Sequence, residues 1–233
     1  MADDQAEAQS SRARNRRGQG TRLRSELLQA ALRVLDGSGG VDLTLRIIAS
    51  EAGVSPQAVY AHFRGREDLT FEVIRMCWQQ VADEMAVASH RARGGALIRL
   101  RAQLRAYLQY AANSPGRYQL LFALRPQGAA DVGHQVLPAE PAYISVLRDV
   151  EALREEGYTF PGFGVHDTTL MLLSLVHGRA ALAHSAPDRP SNTTRQMTAY
   201  LNRILDGLFR PATSTVLVES PASGPRTTKR PRP

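Results

Sequence analysis

The chain has 233 residues, 43% of them apolar, which is enough to build a buried core and excludes a disordered protein. Its net charge of +7 favours an anionic partner, either nucleic acid or a membrane surface. The single cysteine, Cys77, excludes an internal disulfide and a cysteine-rich metal site, and no apolar run is long enough to span a membrane. We therefore expect a cytoplasmic protein without a membrane partner.

Basic segments occupy both ends of the sequence. Residues 1–20 carry four arginines beside flexible glycines and are predicted to form a flexible basic arm: Arg12, Arg14, Arg16 and Arg17. Residues 211–233 mix Pro, Ser, Thr and Gly with further basic side chains, which predicts a disordered basic tail. Each segment has a second interpretation, as a solubilising stretch that binds nothing.

The sequence between these ends has helical periodicity and no strand-like alternation, so we predict an all-α fold. The first predicted helix spans about 21–36, with an apolar face of Leu23, Leu27, Ala30, Ala31, Val34 and Leu35. Further helical segments are predicted at 67–92, 96–112, 141–157, 167–184 and 193–209. Glycines and prolines separate them at 94–95, 114–116, 157–164 and 186–190, and residues 125–139 are predicted to be a mobile loop.

Residues 44–63, TLRIIASEAGVSPQAVYAHF, contain two short helices joined by a tight turn. Thr44 is a helix N-cap, and Leu45, Ile48, Ala49 and Ala52 share one face of the helix that follows. Gly53 suits the left-handed stop, Val54 fills the space between the helices, and Ser55-Pro56 starts the next helix. Val59 and Phe63 then face inward and leave polar neighbours outside. This layout is typical of a helix-turn-helix that presents its second helix to the major groove of DNA.

The stretch TLRxIAxEAGVSPxxVYxHFxxREDL, preceded by an amphipathic helix and a basic arm, resembles the DNA-binding domain of the tetracycline repressor (TetR-like) family. The resemblance implies a three-helix domain at 21–66, followed at 67–210 by a larger helical domain that dimerises and encloses a small-molecule effector. The segment LMLLSLVHGRAAL, residues 170–182, is similar to the subgroup with a Trp-His-Gly signature, although Val176 stands at the tryptophan position.

The resemblance also implies a set of DNA-binding residues: Thr44, Arg46, Ser55, Gln57, Ala58, Tyr60, His62 and Arg66. Tyr60, His62 and Arg66 are expected at phosphates, which position the protein without selecting a sequence. Gln57 has the side chain for a paired contact to adenine, and Ala58 for a thymine methyl group. Arg46 suits either guanine or the backbone. Tyr60 has a second interpretation as a core residue, and His62 as an ordinary surface residue.

No catalytic or metal-binding pattern is recognisable among the histidines, the cysteine or the glycines, so we expect a protein that is not an enzyme and needs no cofactor or metal. Cys77 lies on an apolar helix face, where a buried and inert thiol is usual.

By the resemblance, an effector pocket is expected among apolar and aromatic residues of the C-terminal helices: Trp78, Leu104, Tyr107, Tyr118, Phe122, Tyr143, Met171 and His177. Each of these also suits an ordinary core. By the resemblance, the helices at about 164–185 and 192–209 form the dimer interface, where Gly178, Ala180, Ala181 and Ala183 permit close approach or simply pack within the chain.

Three functions remain open from the sequence. The first is a dimeric, ligand-responsive transcription regulator, most simply a repressor that binds an inverted-repeat operator and leaves it when an effector binds. The second is a basic, nucleoid-type DNA-binding protein that ignores sequence and has no effector. The third is a helical enzyme or carrier with a vestigial helix-turn-helix, which the missing catalytic pattern disfavours.

Overall fold

The computed structural model describes residues 20–37, 43–123, 139–160, 162–189 and 192–211. These residues form an all-α fold, as predicted. The first helix, α1, spans residues 20–37. The others are α2 (Leu45–Glu51), α3 (Pro56–Tyr60), α4 (Arg66–Arg91), α5 (Ala96–Asn113), α6 (Pro115–Ala123), α7 (Glu140–Glu155), α8 (Val165–Ser185) and α9 (Thr194–Leu208).

The three N-terminal helices form where their apolar spacing and caps predict them. α1 buries Leu27, Leu28, Ala30, Ala31, Leu32 and Leu35, whereas Leu23 and Val34 are only partly buried. The hydroxyl of Thr44 accepts a hydrogen bond from the Ile47 amide, and that of Ser55 accepts one from the Ala58 amide. Gly53 has a φ of 68°, the left-handed conformation that glycine adopts without strain. The predicted helix-turn-helix is thus confirmed in its backbone details.

A long central helix, α4, connects these three helices to the rest of the chain. Its first turn carries Glu67 and Asp68 and its last turn His90 and Arg91, an arrangement that complements the helix dipole. α4 packs against α5, α6 and α7, while α8 packs on α5, α7 and α9. A buried carboxylate, Asp149 of α7, accepts hydrogen bonds from Ser89 of α4 and from Arg99 and Gln103 of α5. This network fixes three helices relative to one another.

Two elements differ from the sequence-based expectation. The sequence predicts a break at Pro115 and Gly116 and no helix between that break and residue 141, but Pro115 begins a nine-residue helix, α6. Proline suits the first turn of a helix because its missing N–H would have no partner there. Residues 158–159 form a short strand, β1 (Tyr158–Thr159), which pairs antiparallel with β2 (Arg210–Pro211). Two-residue strands are too short to produce an alternating pattern, so the sequence carried no signal for them.

The predicted basic arm and tail and the predicted loop at 125–139 lie outside the described residues, except at Gly20, Pro211 and Ala139. Among the helices that are described, none combines the length and the apolar character needed to cross a bilayer.

Candidate nucleic-acid interface and aromatic cluster

The short helix α3 presents a polar outer face. Gln57 and Ala61 are exposed, and Tyr60 has 57% of its surface exposed. On the opposite side Val59 and Phe63 are almost completely buried. Because these two apolar residues hold the helix from below, its outward side chains are displayed on a fixed support. The predicted orientation of α3 is therefore confirmed, and the core interpretation of Tyr60 is wrong because its ring lies outside the core.

Arg24 of α1 also supports α3, which the sequence analysis did not predict. Its guanidinium lies 5.0 Å from the centroid of the Phe63 ring and 3.5 Å from a carboxylate oxygen of Glu72 on α4. The cation–π contact and the ion pair join α1, the end of the α3 segment and the start of α4. Although Arg24 belongs to the arginine-rich N-terminal sequence, it is a packed residue of the domain.

The residues predicted to bind DNA lie at three neighbouring places in the chain. Thr44 and Arg46 are at the start of α2, the next five are on or beside α3, and Arg66 opens α4. Arg46, Ser55, Gln57, Tyr60 and Arg66 are exposed, whereas Thr44, Ala58 and His62 are half-buried. All eight assignments stay predictions, since exposure permits DNA contact without proving it.

The turn between α3 and α4 holds a second exposed arginine that the prediction omitted. Arg64 follows Phe63, and its amide donates a hydrogen bond to the Asp68 side chain at 3.0 Å. This bond fixes the turn and places Arg64 two residues before Arg66. In the sequence Arg64 and Arg66 flank Gly65, but the family pattern contains only Arg66, so Arg64 was not predicted.

Six aromatic side chains from four helices meet beside the middle of α4. Tyr118 of α6 is the hub: its ring is 6.2 Å from Tyr107, 5.3 Å from Phe122, 5.9 Å from His177 and 4.8 Å from His184. Phe122 also contacts Trp78 edge-on at 5.6 Å and lies 3.9 Å from His177. We call Trp78, Tyr107, Tyr118, Phe122, His177 and His184 the aromatic cluster. It contains five of the predicted effector residues and adds His184.

The aromatic cluster contains polar groups as well as rings. The Tyr118 hydroxyl lies 2.7 Å from His177 Nδ1 and 3.1 Å from the His177 carbonyl. Desolvation lowers the pKa of His177, so its neutral form is favoured, and burial raises the pKa of Tyr118 to about 12. His184 Nδ1 lies 2.8 Å from the Ala180 carbonyl oxygen and donates a hydrogen bond to it, while Nε2 takes no part in this bond.

The other predicted effector residues have different surroundings. Leu104 is completely buried and Met171 half-buried, while Tyr143 stacks on His166 with its hydroxyl 2.6 Å from Nδ1. An open surface cleft of about 680 Å³ lies on α1, and none of the predicted effector residues lines it: its walls are Thr21, Arg22, Ser25, Glu26, Gln29, Arg33 and Ala52. We attach no effector site to this cleft, because exposed ion pairs form much of it.

The small residues of α8 divide into two groups. Ala180 and Ala183 are buried within the chain, so their small size serves intrachain packing. Gly178 is half-buried and Ala181 is exposed, and a Cβ on Gly178 would meet no atom of the described residues within 4 Å. Beside them Leu170 is 53% exposed and Leu182 65% exposed. The outer face of α8 therefore carries two exposed leucines, and none of the described residues buries them.

Cys77 is buried, as expected for an inert thiol, and burial raises its pKa to about 11. In the described ranges, no three side chains of His, Cys, Asp or Glu converge in a way that would hold a metal ion.

Comparison with known proteins identifies the family. The model for the bacterial regulatory proteins of the tetR family matches residues 27–73, and that for the tetracyclin repressor-like C-terminal domain matches residues 100–208. The chain belongs to the TetR family. It is accordingly a DNA-binding transcription regulator. The C-terminal match does not test the Trp-His-Gly subgroup, which stays a prediction.

Individual relatives agree with this assignment. The chain is 35% identical over 69 residues to the HTH-type transcriptional regulator BetI of Brucella abortus, a match that covers 30% of this chain and 35% of that relative. A protein from Rhodococcus sp. RHA1 has a similar structure, with a TM-score of 0.64 at 24% identity over 81% of this chain and 96% of the other. For the ketosteroid regulator KstR2 of Mycobacterium tuberculosis the TM-score is 0.55 at 18% identity, covering 80% and 95%. At these levels of identity, the structural similarities support the fold alone.

Proposed function

We propose that this TetR-family regulator is a repressor that binds an inverted-repeat operator as a homodimer and leaves it when a largely apolar effector binds. The observation that carries the DNA part is the outer face of α3, where Gln57 and Tyr60 stand on a helix anchored by Val59 and Phe63. In this assignment residues 21–66 are the DNA-binding domain and residues 67–210 the effector-binding and dimerisation domain.

The eight predicted residues have distinct roles at the operator. Gln57 selects a base, Ala58 packs on a thymine methyl group, and Arg46 reaches either guanine or the backbone. Thr44, Ser55, Tyr60, His62 and Arg66 hold the phosphate backbone, and we add Arg64 to them. A Cβ on Gly20 would lie 3.7 Å from His62, so the chain preceding α1 joins the domain beside a predicted phosphate contact. This position supports a role for the basic arm at DNA.

The homodimer is proposed through α8 and α9. The exposed side chains Leu170 and Leu182 on α8 and Tyr200 on α9 form the apolar surface that a second copy would cover. A two-fold dimer doubles the readout, because one recognition helix reaches only a few base pairs.

Charge substitutions test the dimer directly. Leu182→Glu should convert the protein to monomers in sedimentation measurements and abolish tight operator binding. Val87→Glu on α4 is the matched control, since Val87 is 47% exposed and α4 packs mainly on α5, α6 and α7. A dimer that survives Leu182→Glu would locate the interface elsewhere.

The effector is proposed to bind at the aromatic cluster. Its rings and its neutral His177 favour an uncharged, aromatic or lipid-like molecule, with His184 Nε2 and the tyrosine hydroxyls available to orient it. Trp78 is the only tryptophan, so its fluorescence reports binding. Linkage requires the effector to bind more weakly when operator is present, by the factor with which it weakens operator binding.

Selection of DNA sequences from a random pool, followed by footprinting, tests the function as a whole. We expect one inverted repeat protected by a dimer. A nucleoid-type protein would instead enrich no sequence, and its affinity would depend on salt alone. Deleting residues 1–19 should flatten the salt dependence by roughly 0.9 in log-log slope for each lost phosphate contact. An unchanged slope would remove the arm from the interface.

A further inference from the structure

The first turn of α6 is fastened to the end of α1. Gly116 packs directly on the backbone of α1, since a Cβ at this position would lie 2.1 Å from the carbonyl oxygen of Leu35. The next residue, Arg117, pairs through two guanidinium nitrogens with the Asp36 carboxylate, and its Nε to Oδ1 distance is 2.7 Å. Its Nη1 donates to the side chain of Gln80 on α4 at 3.0 Å. The first turn of α6 therefore contacts both α1 and α4.

The following turn of α6 carries Tyr118 and Phe122, the centre of the aromatic cluster. Because α6 has nine residues, it is only about 13 Å long, too short to bend appreciably. A displacement of the α6 backbone at Tyr118 or Phe122 therefore moves Gly116 and Arg117 as well. Helix α6 thus takes part in the proposed effector site through Tyr118 and Phe122, and its first turn contacts the DNA-binding domain.

At its other end α1 supports the recognition helix. Arg24 lies against Phe63, which anchors the α3 segment, and it pairs with Glu72 near the start of α4. A tilt of α1 at Leu35 and Asp36 would reach Phe63 through this contact. The contacts of α6 with α1 thus provide a path to α3 that does not run along α4.

We propose that Gly116 and Arg117 of α6, with Leu35 and Asp36 of α1 and Gln80 of α4, form a latch that sets the position of the DNA-binding domain. The inference rests on the proposed function, which it deepens by naming the residues that regulate operator binding. Arg117 is a positioning residue in this scheme. Its planar guanidinium holds the carboxylate through two parallel hydrogen bonds, so the latch fixes direction as well as distance.

A double-mutant cycle on operator affinity tests the path without requiring a known effector. The probe is Phe122→Ala, which alters the aromatic cluster at a side chain that is already 43% exposed. We expect it to change operator affinity about fivefold or more in the wild-type background and less than about twofold in the Arg117→Ala background. An equal change in both backgrounds, or none in the wild type, overturns the latch.

The single cysteine gives a second readout that needs no DNA. Cys77 is buried, and both Arg117 and Asp36 are close enough to influence its ionisation. Arg117→Ala should raise its rate of reaction with a disulfide reagent about tenfold, because opening of α6 uncovers the thiol. Gln119→Ala, an exposed neighbour on α6, is the matched control and should leave the rate unchanged. Equal rates in Arg117→Ala and wild type would overturn the latch.

Two further variants separate the latch from a general loss of folding. Arg117→Lys keeps the charge but loses the paired geometry, so it should behave like Arg117→Ala. Exchange of the pair, Asp36→Arg with Arg117→Asp, should restore slow labelling. The cycle is meaningful only if the wild type selects a specific operator, so absence of selection refutes the proposed function, whereas the labelling experiment judges the latch by itself.

Discussion

The recognition helix and the aromatic cluster are organised over different distances along the chain. Around α3 the bonds that fix the backbone are local: Ser55 caps the amide of Ala58, three residues on, and Thr44 caps that of Ile47. In the aromatic cluster Tyr118 contacts His177, which is 59 residues away in the sequence. Next to the cluster, Arg117 of α6 pairs with Asp36 of α1, 81 residues away. The short-range hydrogen bonds involve residues that are neighbours in the sequence, so a sequence motif can predict them. The long-range contacts form only when the helices pack, so no local motif predicts them.

Gly116→Ala should give the largest change in stability, because it attacks the long-range side of this comparison. The added methyl group collides with the Leu35 carbonyl, which belongs to the backbone and cannot rotate away. We expect a loss of about 1–3 kcal/mol in the free energy of unfolding, measured with urea.

Gly207→Ala in α9 is the matched control for this substitution. The new methyl group would meet no atom within 4 Å in the described structure. It should leave stability unchanged or raise it, because alanine favours a helix more than glycine does. Similar losses in both variants would mean that the contact between α6 and α1 contributes nothing to the fold.

Gln57→Ala should produce the largest change in DNA recognition without destabilising the fold, since Gln57 is exposed. Losing a paired contact to a base should cost about 1–3 kcal/mol of discrimination at one base pair. Binding to a set of single-base operator variants measures it. Tyr60→Ala is the control: it should weaken binding to all variants equally, because phosphate contacts carry no sequence information. Unchanged preferences in Gln57→Ala would assign readout to another residue.

The sequence predicted most of the backbone and only part of the site. Helix boundaries and the α3 face followed from apolar spacing, caps and Gly53, all of which act within a few residues. Helix α6 as a whole was not predicted, because Pro115 and Gly116 resemble a break, and the need for glycine there appears only when Leu35 packs against it. Similarly, the Glu156 carboxylate accepts a hydrogen bond from the Ala96 amide and so caps α5. The two residues are 60 positions apart, so no local sequence pattern predicts this bond.

Ser55→Ala tests the local side of the comparison and should have a smaller effect than Gly116→Ala. Loss of the cap leaves the Ala58 amide without its side-chain acceptor, which costs about 1 kcal/mol. Thermal unfolding measures the change. Ser50→Ala, at an exposed position within α2, is the control and should be neutral because Ser50 is not a cap. If the two variants had equal stability, the cap would not hold α3.

The smallest expected effect is a pH dependence of stability that comes from His177. Burial lowers its pKa in the folded protein, while the unfolded chain should titrate near the ordinary value of about 6.5. As the pH falls below that value, the unfolded chain takes up a proton that the folded protein does not yet bind. The stabilisation is therefore complete above about pH 6.5 and is lost as the pH falls toward the lower folded pKa.

His177→Gln should remove this part of the pH dependence. Melting temperatures of wild type and variant, measured from pH 7.5 to 5.5, should differ by an amount that changes through this range, with the wild type losing stability faster on acidification. Because the two proteins share all other titratable groups, their difference isolates His177. Parallel curves would show that His177 is as well solvated in the folded protein as in the unfolded chain, which would also weaken the case for an uncharged effector site beside Tyr118.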